Sequence, residues 1–282
     1  MPELPEVERA ARRLRRAIVG RSIVAARALH PALKRGLGTR ALASLRGHRI
    51  VAIDQRAKHQ LLVLDDGRAI HAHFRMAGDW AFDRAGDDLP RSARAAFDLD
   101  DGSRLLLLDP RALSTLKVLP RGATPFGSLG PDPFSPEFDA AFAASLARRR
   151  GAIKRALLDQ SVAAGVGNIY AAEALWEARM DPRRSAATLS ADEVLRLADA
   201  IREVLRRGRA SRGRYRDGQS RFRVYGREGE PCARCDTPIE RVVQGGRSTS
   251  FCPVCQVPDA RRRPRAGRGG SALSRSPRAA RP

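Results

Sequence analysis

Aromatic residues, acidic residues and long hydrophobic runs are all scarce in this sequence. Phe, Tyr and Trp make up 5% of the 282 residues, and no run approaches the roughly 18 apolar residues that a membrane-spanning helix needs. The first ten residues, MPELPEVERA, also lack the basic and apolar pattern of a secretory signal. These absences predict a soluble protein of the cytoplasm that has no membrane anchor.

The shortage of acids leaves a large positive charge. The chain has 31 acidic residues against 53 lysines and arginines, a formal net charge of +22. The last 22 residues contain eight arginines and no acid, so the other 260 residues still have a net charge of +14. This excess predicts a polyanion such as nucleic acid as the partner, with an anionic membrane surface as the alternative. Lysine is itself rare, and its four positions are Lys34, Lys58, Lys117 and Lys154.

Cysteine is equally rare, and all four copies lie between positions 232 and 255. They form two CxxC pairs, Cys232 with Cys235 and Cys252 with Cys255, which is typical of two knuckles that hold Zn²⁺ tetrahedrally. Two reduced pairs without metal and a redox-active pair are the alternatives. Four thiolates leave no open coordination position, so we expect one structural zinc ion and an active site elsewhere.

Apolar periodicity and turn residues indicate an α+β protein. Helical spacing from Leu4 to Val19 precedes several strand-like runs, two of which contain Asp-Asp-Gly, a hairpin signal. The stretch 127–137 is rich in Gly and Pro, and helical periodicity follows it. We expect an N-terminal antiparallel β-sandwich with a flanking helix (a barrel is the alternative), then a helical domain and a zinc finger hairpin. The expected boundaries are 1–130 for the N-terminal domain, 131–136 for the hinge, 137–228 for the helical domain, 229–258 for the zinc finger and 259–282 for a basic, disordered tail.

The N-terminus contains a candidate nucleophile. Pro2 is small enough for the initiator methionine to be removed, which would expose a secondary amine. An α-amino group titrates at about pH 8, below a lysine, so it is more often neutral and able to attack a sugar carbon or a carbonyl. Glu3 and Glu6 stand beside it and could donate or accept protons. The alternative is that Pro2 and Pro5 only lead into a helix whose first turn favours acids.

Small residues join two helical stretches in the segment 160–169, QSVAAGVGNI. Its backbone N–H groups, with the start of the next helix, could point outward and form a phosphate cradle in a helix–two-turn–helix hairpin. An ordinary glycine-rich turn between two helices is the alternative.

Seven motifs follow one another along the chain from residue 2 to residue 256. They are PELPEVE at 2–8, AK at 57–58, HFRMAG at 73–78, DPR at 109–111, IKRALLDQSVAAGVGNIYAAEAL at 153–175, VYGREGEPCARC at 224–235 and GRSTSFCPVCQ at 246–256. In order and spacing they resemble the formamidopyrimidine-DNA glycosylase family. The resemblance implies a base-excision-repair enzyme with glycosylase and abasic-site lyase activity. It also implies a monomer that acts on double-stranded damaged DNA, contains one structural Zn²⁺, and lies with the nucleoid in the cytoplasm.

The resemblance also implies catalytic roles. Pro2 would attack the sugar C1′ and form a Schiff base, after which β- and δ-elimination would cut the strand on both sides. Glu3 would be the acid–base residue at the sugar, and Lys58 would contact phosphate near the lesion. Glu6 and Lys154 would belong to the lesion pocket. The alternative for Lys58 is a solvated charge at a strand edge.

Further residues match the DNA contacts of the family. His73, Asn168 and Arg247 would hold phosphates, Met76 would fill the space left by the flipped base, and Arg111 would pair with the orphaned opposite base. Each has a plainer alternative. His73 could be a structural histidine, Asn168 a helix cap and Met76 a core residue, while Arg111 could be a surface charge.

Two departures from the family pattern concern specificity. The family usually has DPRRFG, whereas Leu113 stands here in place of the intercalating phenylalanine and stacks less well. The segment Ser211–Arg223 also looks shorter than the family loop that covers an oxidised purine. Oxidised or ring-opened purines remain the expected substrates. The alternatives are the oxidised pyrimidines of the endonuclease VIII branch and a non-catalytic, zinc-containing nucleic-acid-binding protein.

Overall fold

The computed structural model describes residues 1–34, 36–211 and 222–257. The α-helices are α1 (Leu4–Ile18), α2 (Pro31–Lys34), α3 (Thr39–Ala43), α4 (Phe138–Ala147), α5 (Ile153–Leu158), α6 (Asn168–Glu177) and α7 (Ala191–Ala210), with a 3₁₀ turn at Ala186–Thr188. The strands are β1 (Ile23–Ala28), β2 (Ile50–Arg56), β3 (His59–Leu64), β4 (Ala69–His73), β5 (Asp79–Arg84), β6 (Ala93–Leu99), β7 (Ser103–Leu108), β8 (Thr115–Leu119), β9 (Glu240–Gln244) and β10 (Arg247–Phe251). Within these ranges no helix has the length and apolar character to span a bilayer. The predicted tail 259–282 and most of the predicted short loop, 212–221, lie outside the described residues.

Two four-stranded antiparallel sheets form the expected sandwich. Their strand orders are β1-β6-β7-β5 and β2-β3-β4-β8. Both Asp-Asp-Gly sequences turn between paired strands, β3 with β4 and β6 with β7, as predicted. Because side chains alternate along a strand, each sheet turns one apolar face inward. The two faces share one core with α1, built from residues such as Ile23, Leu62, Ile70, Phe97 and Leu107.

Helix α1 connects this sandwich to the helical part of the chain. Pro5 suits the first turn of a helix, because the N–H groups there have no partner within the helix and proline lacks one without losing a hydrogen bond. At the other end Gly20 adopts a φ of +90°, a left-handed conformation that stops the helix without steric strain. Val7 and the later apolar residues of α1 pack in the sandwich core, whereas Leu4 packs among the helices. The start of α1 therefore lies at the junction of the two cores.

Helices α4 to α7 surround the second core, in which the Phe138 and Phe142 rings stack. The predicted capping box starts α7: the Ser190 hydroxyl accepts the Glu193 N–H, and the Glu193 carboxylate accepts the Ser190 N–H. Polar contacts then tie the end of α7 to α1. The Arg209 guanidinium donates to Glu8 at 2.6 Å, so charged groups reinforce the junction that Leu4 forms with apolar contacts.

The cysteine module is a two-stranded hairpin, β9 with β10, that packs against α6. Its apolar base is shared with Trp176 of α6, and the Arg234 guanidinium lies 3.6 Å from the centre of that ring. Helix α6 therefore carries the zinc hairpin on one side and contacts the junction of the two cores at its amino end.

Candidate active site

The Glu3 carboxyl group is buried against the amino end of α6. It accepts N–H groups from Gly167 at 2.8 Å and Ile169 at 2.9 Å, and a longer one from Tyr170 at 3.3 Å. The first N–H groups of a helix have no partner within the helix and attract an anion. The sequence predicted a cradle there whose N–H groups face outward to a phosphate. That orientation is wrong for these three groups, because the anion they hold is the protein's own Glu3.

The turn before α6 is shaped to receive Glu3. A side chain at Gly167 would overlap the Glu3 carboxyl carbon and lie 2.6 Å from its Oε1 atom. The carbonyl of Gly165 accepts the N–H of Leu4 at 3.1 Å, which fixes the start of α1 to the same turn. Gln160 holds the turn from inside, since its amide donates to the Val166 carbonyl and accepts the Gly165 N–H. Gln160 opens the segment 160–169, but no local pattern marks it as the residue that holds the turn.

Cationic side chains surround Glu3. Lys58 is 7% exposed and its Nζ donates to the Val166 carbonyl at 2.8 Å, while the fully buried Lys154 donates to the Asn168 Oδ1 atom at 2.7 Å. The Asn168 amide in turn donates to the Ser248 carbonyl at 3.0 Å, next to the exposed Arg247. Strand β10 of the zinc hairpin therefore reaches the amino end of α6. Residues from three separate motifs therefore come together here: Lys58, Lys154 with Asn168, and Arg247.

Burial shifts the acid and the two lysines towards their neutral forms. It raises the pKa of Glu3, and the nearby Lys58 and the Ile169 N–H only partly oppose this shift. Burial lowers the pKa of Lys58 and brings that of Lys154 down to about 8, with Glu3 opposing both shifts. A raised carboxyl pKa and lowered lysine pKa values lie closer together than the ordinary ones, so that protons move more readily between such groups. The cluster is therefore suited to acid–base chemistry.

Pro2 and Glu6 lie beside this cluster. Pro2 is buried, directly before Glu3 in the chain. The Glu6 carboxylate accepts the Glu3 N–H at 3.0 Å and the Tyr170 hydroxyl at 3.0 Å. Glu6 therefore links the first turn of α1 to α6, and Tyr170, which the sequence analysis did not select, is its partner. The candidate nucleophile and both acids therefore lie within the first six residues of the chain.

Two loops bring the predicted base-stack residues together. Met76 is half-buried in the β4–β5 loop, and Arg111 and Leu113 are exposed in the β7–β8 loop. The Ser114 hydroxyl donates to the Phe74 carbonyl at 3.0 Å, which joins the two loops. A side chain at Gly78 would overlap that hydroxyl, so the loops meet in close contact.

The second loop is organised around Asp109. Its carboxylate accepts N–H groups from Arg111, Leu113 and Ser114 at 2.7 to 3.0 Å. Burial alone would raise the pKa of Asp109, but the hydrogen bonds from Ser114, Arg111 and Leu113 together outweigh it and lower that pKa. The turn thus depends on an ionised carboxylate, which fixes the backbone on both sides of Ala112.

Backbone strain is concentrated at these loops. Among the described residues five non-glycine residues have a positive φ. Three of them, each with a φ of 52°, are next to predicted site residues: Ala57 precedes Lys58, Arg75 precedes Met76, and Ala112 separates Arg111 from Leu113. A non-glycine residue in this region costs about 1–3 kcal/mol and is often kept where function needs the geometry. The strain therefore supports a functional role for the loops.

The four cysteines bind one zinc ion. Their Sγ atoms all lie within 4.8 Å of one another, and three measured separations are 3.4, 3.5 and 3.9 Å. Four sulfurs on a tetrahedron around Zn²⁺ at about 2.3 Å are about 3.8 Å apart, so the donors fit the ion without rearrangement. Trp176 donates its indole N–H to Cys232 at 3.4 Å, a contact that stabilises a thiolate. All four ligands come from protein, so the zinc is structural.

A sandwich, a helix–two-turn–helix unit and a four-cysteine hairpin that meet at a buried acid define a zinc-finger DNA glycosylase. Residues 1–116 match the Formamidopyrimidine-DNA glycosylase N-terminal domain, 129–216 its H2TH domain, and 229–257 the zinc finger found in FPG and IleRS. The Formamidopyrimidine-DNA glycosylase of Herpetosiphon aurantiacus is 42% identical over 273 residues, 91% of this chain and 100% of that protein. The corresponding Paracoccus denitrificans protein is 40% identical over 280 residues, with the same coverage. The chain belongs to the formamidopyrimidine-DNA glycosylase family, as the motifs predicted.

Solved structures show the same fold. The MutM (FPG) protein of Thermus thermophilus is 38% identical, with a TM-score of 0.78 over 90% of this chain and 98% of that chain. Lactococcus lactis Fpg, bound non-covalently to DNA that contains an AP site, is 30% identical, with a TM-score of 0.82 over 90% and 99% of the two chains. The expected α+β architecture is therefore confirmed.

Gly167→Ala is expected to slow strand cleavage at abasic sites by about 100-fold, because the added carbon displaces the Glu3 carboxyl group and a shift of about 1 Å can cost that much. Gly151→Ala is the matched control, since a side chain there meets no atom within 4 Å. The measurement compares cleavage rates of the two variants at equal zinc content and helicity. Near-normal cleavage by Gly167→Ala would show that the position of Glu3 does not matter.

Proposed function

We propose that this enzyme binds damaged duplex DNA, flips out an oxidised or ring-opened purine, excises it and then nicks the abasic strand. The observation that carries the proposal is the buried Glu3 carboxyl group, held by α6 next to Pro2. Bond cleavage at a sugar followed by imine chemistry needs an acid–base group beside an amine. Relatives bound to abasic-site DNA and to carbocyclic 8-oxo-G DNA support the same substrate class. A chromosomal substrate would place the enzyme with the nucleoid.

In the proposed reaction Pro2 is the nucleophile. Removal of Met1 leaves a secondary amine, whose nitrogen lone pair forms a bond to C1′ as the bond to the damaged base breaks. The proline N–H proton passes to the departing base, and Glu3, whose raised pKa suits the role, protonates the ring oxygen O4′ as the C1′–O4′ bond opens. The nitrogen and C1′ are then joined as an iminium. The resulting Schiff base acidifies the C2′ hydrogen, so that β-elimination expels the 3′ phosphate and δ-elimination the 5′ phosphate.

The surrounding side chains would hold the lesion in place. We assign Lys58 to the phosphate beside the lesion: its ammonium has three hydrogens, and the Val166 carbonyl takes one of them. Glu6 and Lys154 are assigned to the lesion pocket, where each is already held by a neighbour on α6. Proximity to Glu3 supports the assignments of the two lysines, because its charge acts on both Lys58 and Lys154.

Phosphates of the damaged strand would be held by His73, Asn168 and Arg247. These residues come from the sandwich, from α6 and from the zinc hairpin, so a strand bound to all three would cross the junction of the two cores. Phosphate contacts set affinity and register without reading sequence. The exposed Arg247 is the contact most open to solvent among the three.

The two joined loops would occupy the gap left by the flipped base. Met76 is assigned to the vacated space and Arg111 to the widowed base, with Leu113 wedged beside it. Insertion of an apolar side chain offsets the few kcal/mol lost on unstacking by allowing a kinked duplex to make more contacts. Leucine lacks the flat ring of a phenylalanine, so discrimination between opposite bases is expected to be loose.

Oxidised pyrimidines are the second candidate substrates. They are favoured by the departure at Leu113, whereas the pairing of Met76 with Arg111 in adjoining loops favours purines. The relative excision rates of 8-oxoguanine and an oxidised pyrimidine in otherwise identical duplexes distinguish the two. The third alternative, a binding protein without activity, is not supported by a family of enzymes.

We further propose the division of labour predicted from the sequence. Residues 1–130 would supply catalysis, 131–136 the hinge, 137–228 the helical DNA-binding domain and 229–258 the zinc finger, with 259–282 as a basic tail. The family matches at 1–116, 129–216 and 229–257 support this order of units.

An extra residue retained before Pro2 is expected to abolish borohydride trapping of the enzyme on abasic DNA, because an amide nitrogen is not a nucleophile. The measurement is the covalent protein–DNA band after reduction. The matched control is the same fusion after a protease has removed the extension and freed Pro2, which should restore trapping. Trapping at the normal rate with the extension in place would mean that another amine, such as Lys154, forms the Schiff base.

Met76→Ala is expected to slow excision from an intact lesion pair by about tenfold or more, since about 1.4 kcal/mol of wedge contact corresponds to a factor of ten. Cleavage of a preformed abasic site should change little, because no base has to be removed. Leu89→Ala, an exposed leucine on another loop of the sandwich, is the control. Equal losses on the two duplexes would identify Met76 as a packing residue.

Arg111→Ala should instead change the ranking of opposite bases.

A further inference from the structure

Three histidines form a cluster beside the proposed phosphate site. His59 begins β3, and His71 and His73 are two residues apart on β4. His59 pairs with His73 across the two strands, so the three side chains lie on one face of the sheet. The rings of His59 and His71 stack with centres 5.1 Å apart, and His59 meets His73 at 4.9 Å, edge to face.

Hydrogen bonds fix the protons of the cluster. His59 Nδ1 and His71 Nε2 are 2.9 Å apart, so one hydrogen is shared between the two rings. The Nδ1 atom of His73 accepts the Arg75 N–H at 3.1 Å. Neutral His73 must therefore carry its hydrogen on Nε2, the other ring nitrogen, which is left to donate to a phosphate oxygen. His59 holds the His73 ring by contact, and His71 holds His59 by the shared hydrogen.

Positive charge surrounds the cluster. Burial, then the charges of neighbouring groups, lower the pKa of all three rings, to about 4 for His71 and about 3 for His73. The charged side chains that act on them are Lys58 from the β2–β3 turn, Arg75 from the β4–β5 loop and Lys117 from β8, which pairs with His71. The Phe126 ring packs edge-on against His59. The three rings are therefore neutral at pH 7.

A DNA phosphate placed against Lys58 and His73 would reverse this balance. It brings a negative charge beside rings that burial and nearby cations keep neutral, and a nearby anion favours the protonated form of an imidazole. The hydrogen-bonded rings of His59 and His71 share such a proton, and both act on His73 through their charge, so the titrations of the three histidines are coupled.

We infer that His59, His71 and His73 form one proton-accepting phosphate site, so that duplex DNA binds with uptake of a proton by the cluster. The inference rests on the proposed DNA-binding function. His73 contacts the phosphate through its Nε2 hydrogen, and the hydrogen-bonded pair of His59 and His71 accepts the proton, because the Nδ1 atom of His73 is occupied by the Arg75 N–H. The complex binds more protons than the free protein, so affinity rises as pH falls through the raised pKa of the bound cluster and levels off above it. One proton limits the gain to about tenfold per pH unit.

The test is calorimetric titration of the whole protein with a duplex that contains a tetrahydrofuran abasic analogue, which cannot form a Schiff base. At pH 6, two buffers of different ionisation enthalpy should give different binding enthalpies, equivalent to uptake of up to one proton. Lys154 takes up no proton there, because its pKa of about 8 leaves it charged before DNA binds. The variants separate uptake by the cluster from uptake by Glu3, whose pKa is also raised. Equal enthalpies in the two buffers for the wild-type protein would overturn the inference without any variant.

Variants then assign the proton. His59→Phe keeps a ring against His73 but removes the shared hydrogen, and should lose most of the uptake, as should His71→Gln. His30→Gln, at a histidine before α2 and outside the cluster, should retain it. Equal uptake by His59→Phe and wild type would overturn the inference. A protein that is trapped on abasic DNA yet binds the analogue without uptake refutes only this inference, whereas failure of trapping refutes the proposed function.

Discussion

The contact between the Glu3 carboxyl group and the amino end of α6 is the constraint on which the rest of the site depends. It joins residue 3 to residues 167, 169 and 170 through three backbone N–H groups. The contact requires a glycine at 167, since any side chain there would overlap the carboxyl group. It also sends Leu4 into the helical core while the rest of α1 packs in the sandwich, so the two cores are held together at the candidate nucleophile.

The same constraint explains the distribution of charge. An acid that receives three N–H groups is stabilised as an anion, yet burial opposes ionisation more strongly and raises its pKa. Lys58 and Lys154, two of only four lysines, are placed where they balance this acid. The zinc hairpin completes the arrangement, because the Ser248 carbonyl receives the amide of Asn168 and sets Arg247 beside the two lysines. A structural metal thus affects the active site through geometry and not through chemistry.

Local signals predicted the elements of the fold well. The Asp-Asp-Gly hairpins, the Ser190–Glu193 capping box, the stop at Gly20 and the four-cysteine hairpin each depend on residues close in sequence, where spacing determines structure. Local signals predict only half of the structure of the segment 160–169. Its small residues indicated free N–H groups, but the anion that occupies them lies more than 160 positions away, and no local pattern encodes that distance.

The residues missed by sequence reasoning have the same explanation. Gln160 and Tyr170 act by holding Val166 and Glu6, so their importance exists only in the folded chain. The joining of the Met76 and Arg111 loops through Ser114 is likewise a tertiary fact. Motifs could suggest that both loops contact DNA, but only packing places them side by side.

The crystal structure of the borohydride-trapped complex with an abasic duplex tests the account most directly. The account predicts a bond from the Pro2 nitrogen to the sugar C1′, with the Glu3 carboxyl group still within hydrogen-bond distance of the Gly167 and Ile169 N–H groups. A sugar joined to Lys58 or Lys154, or a Glu3 side chain displaced from α6 while Pro2 is bonded to the sugar, would contradict it.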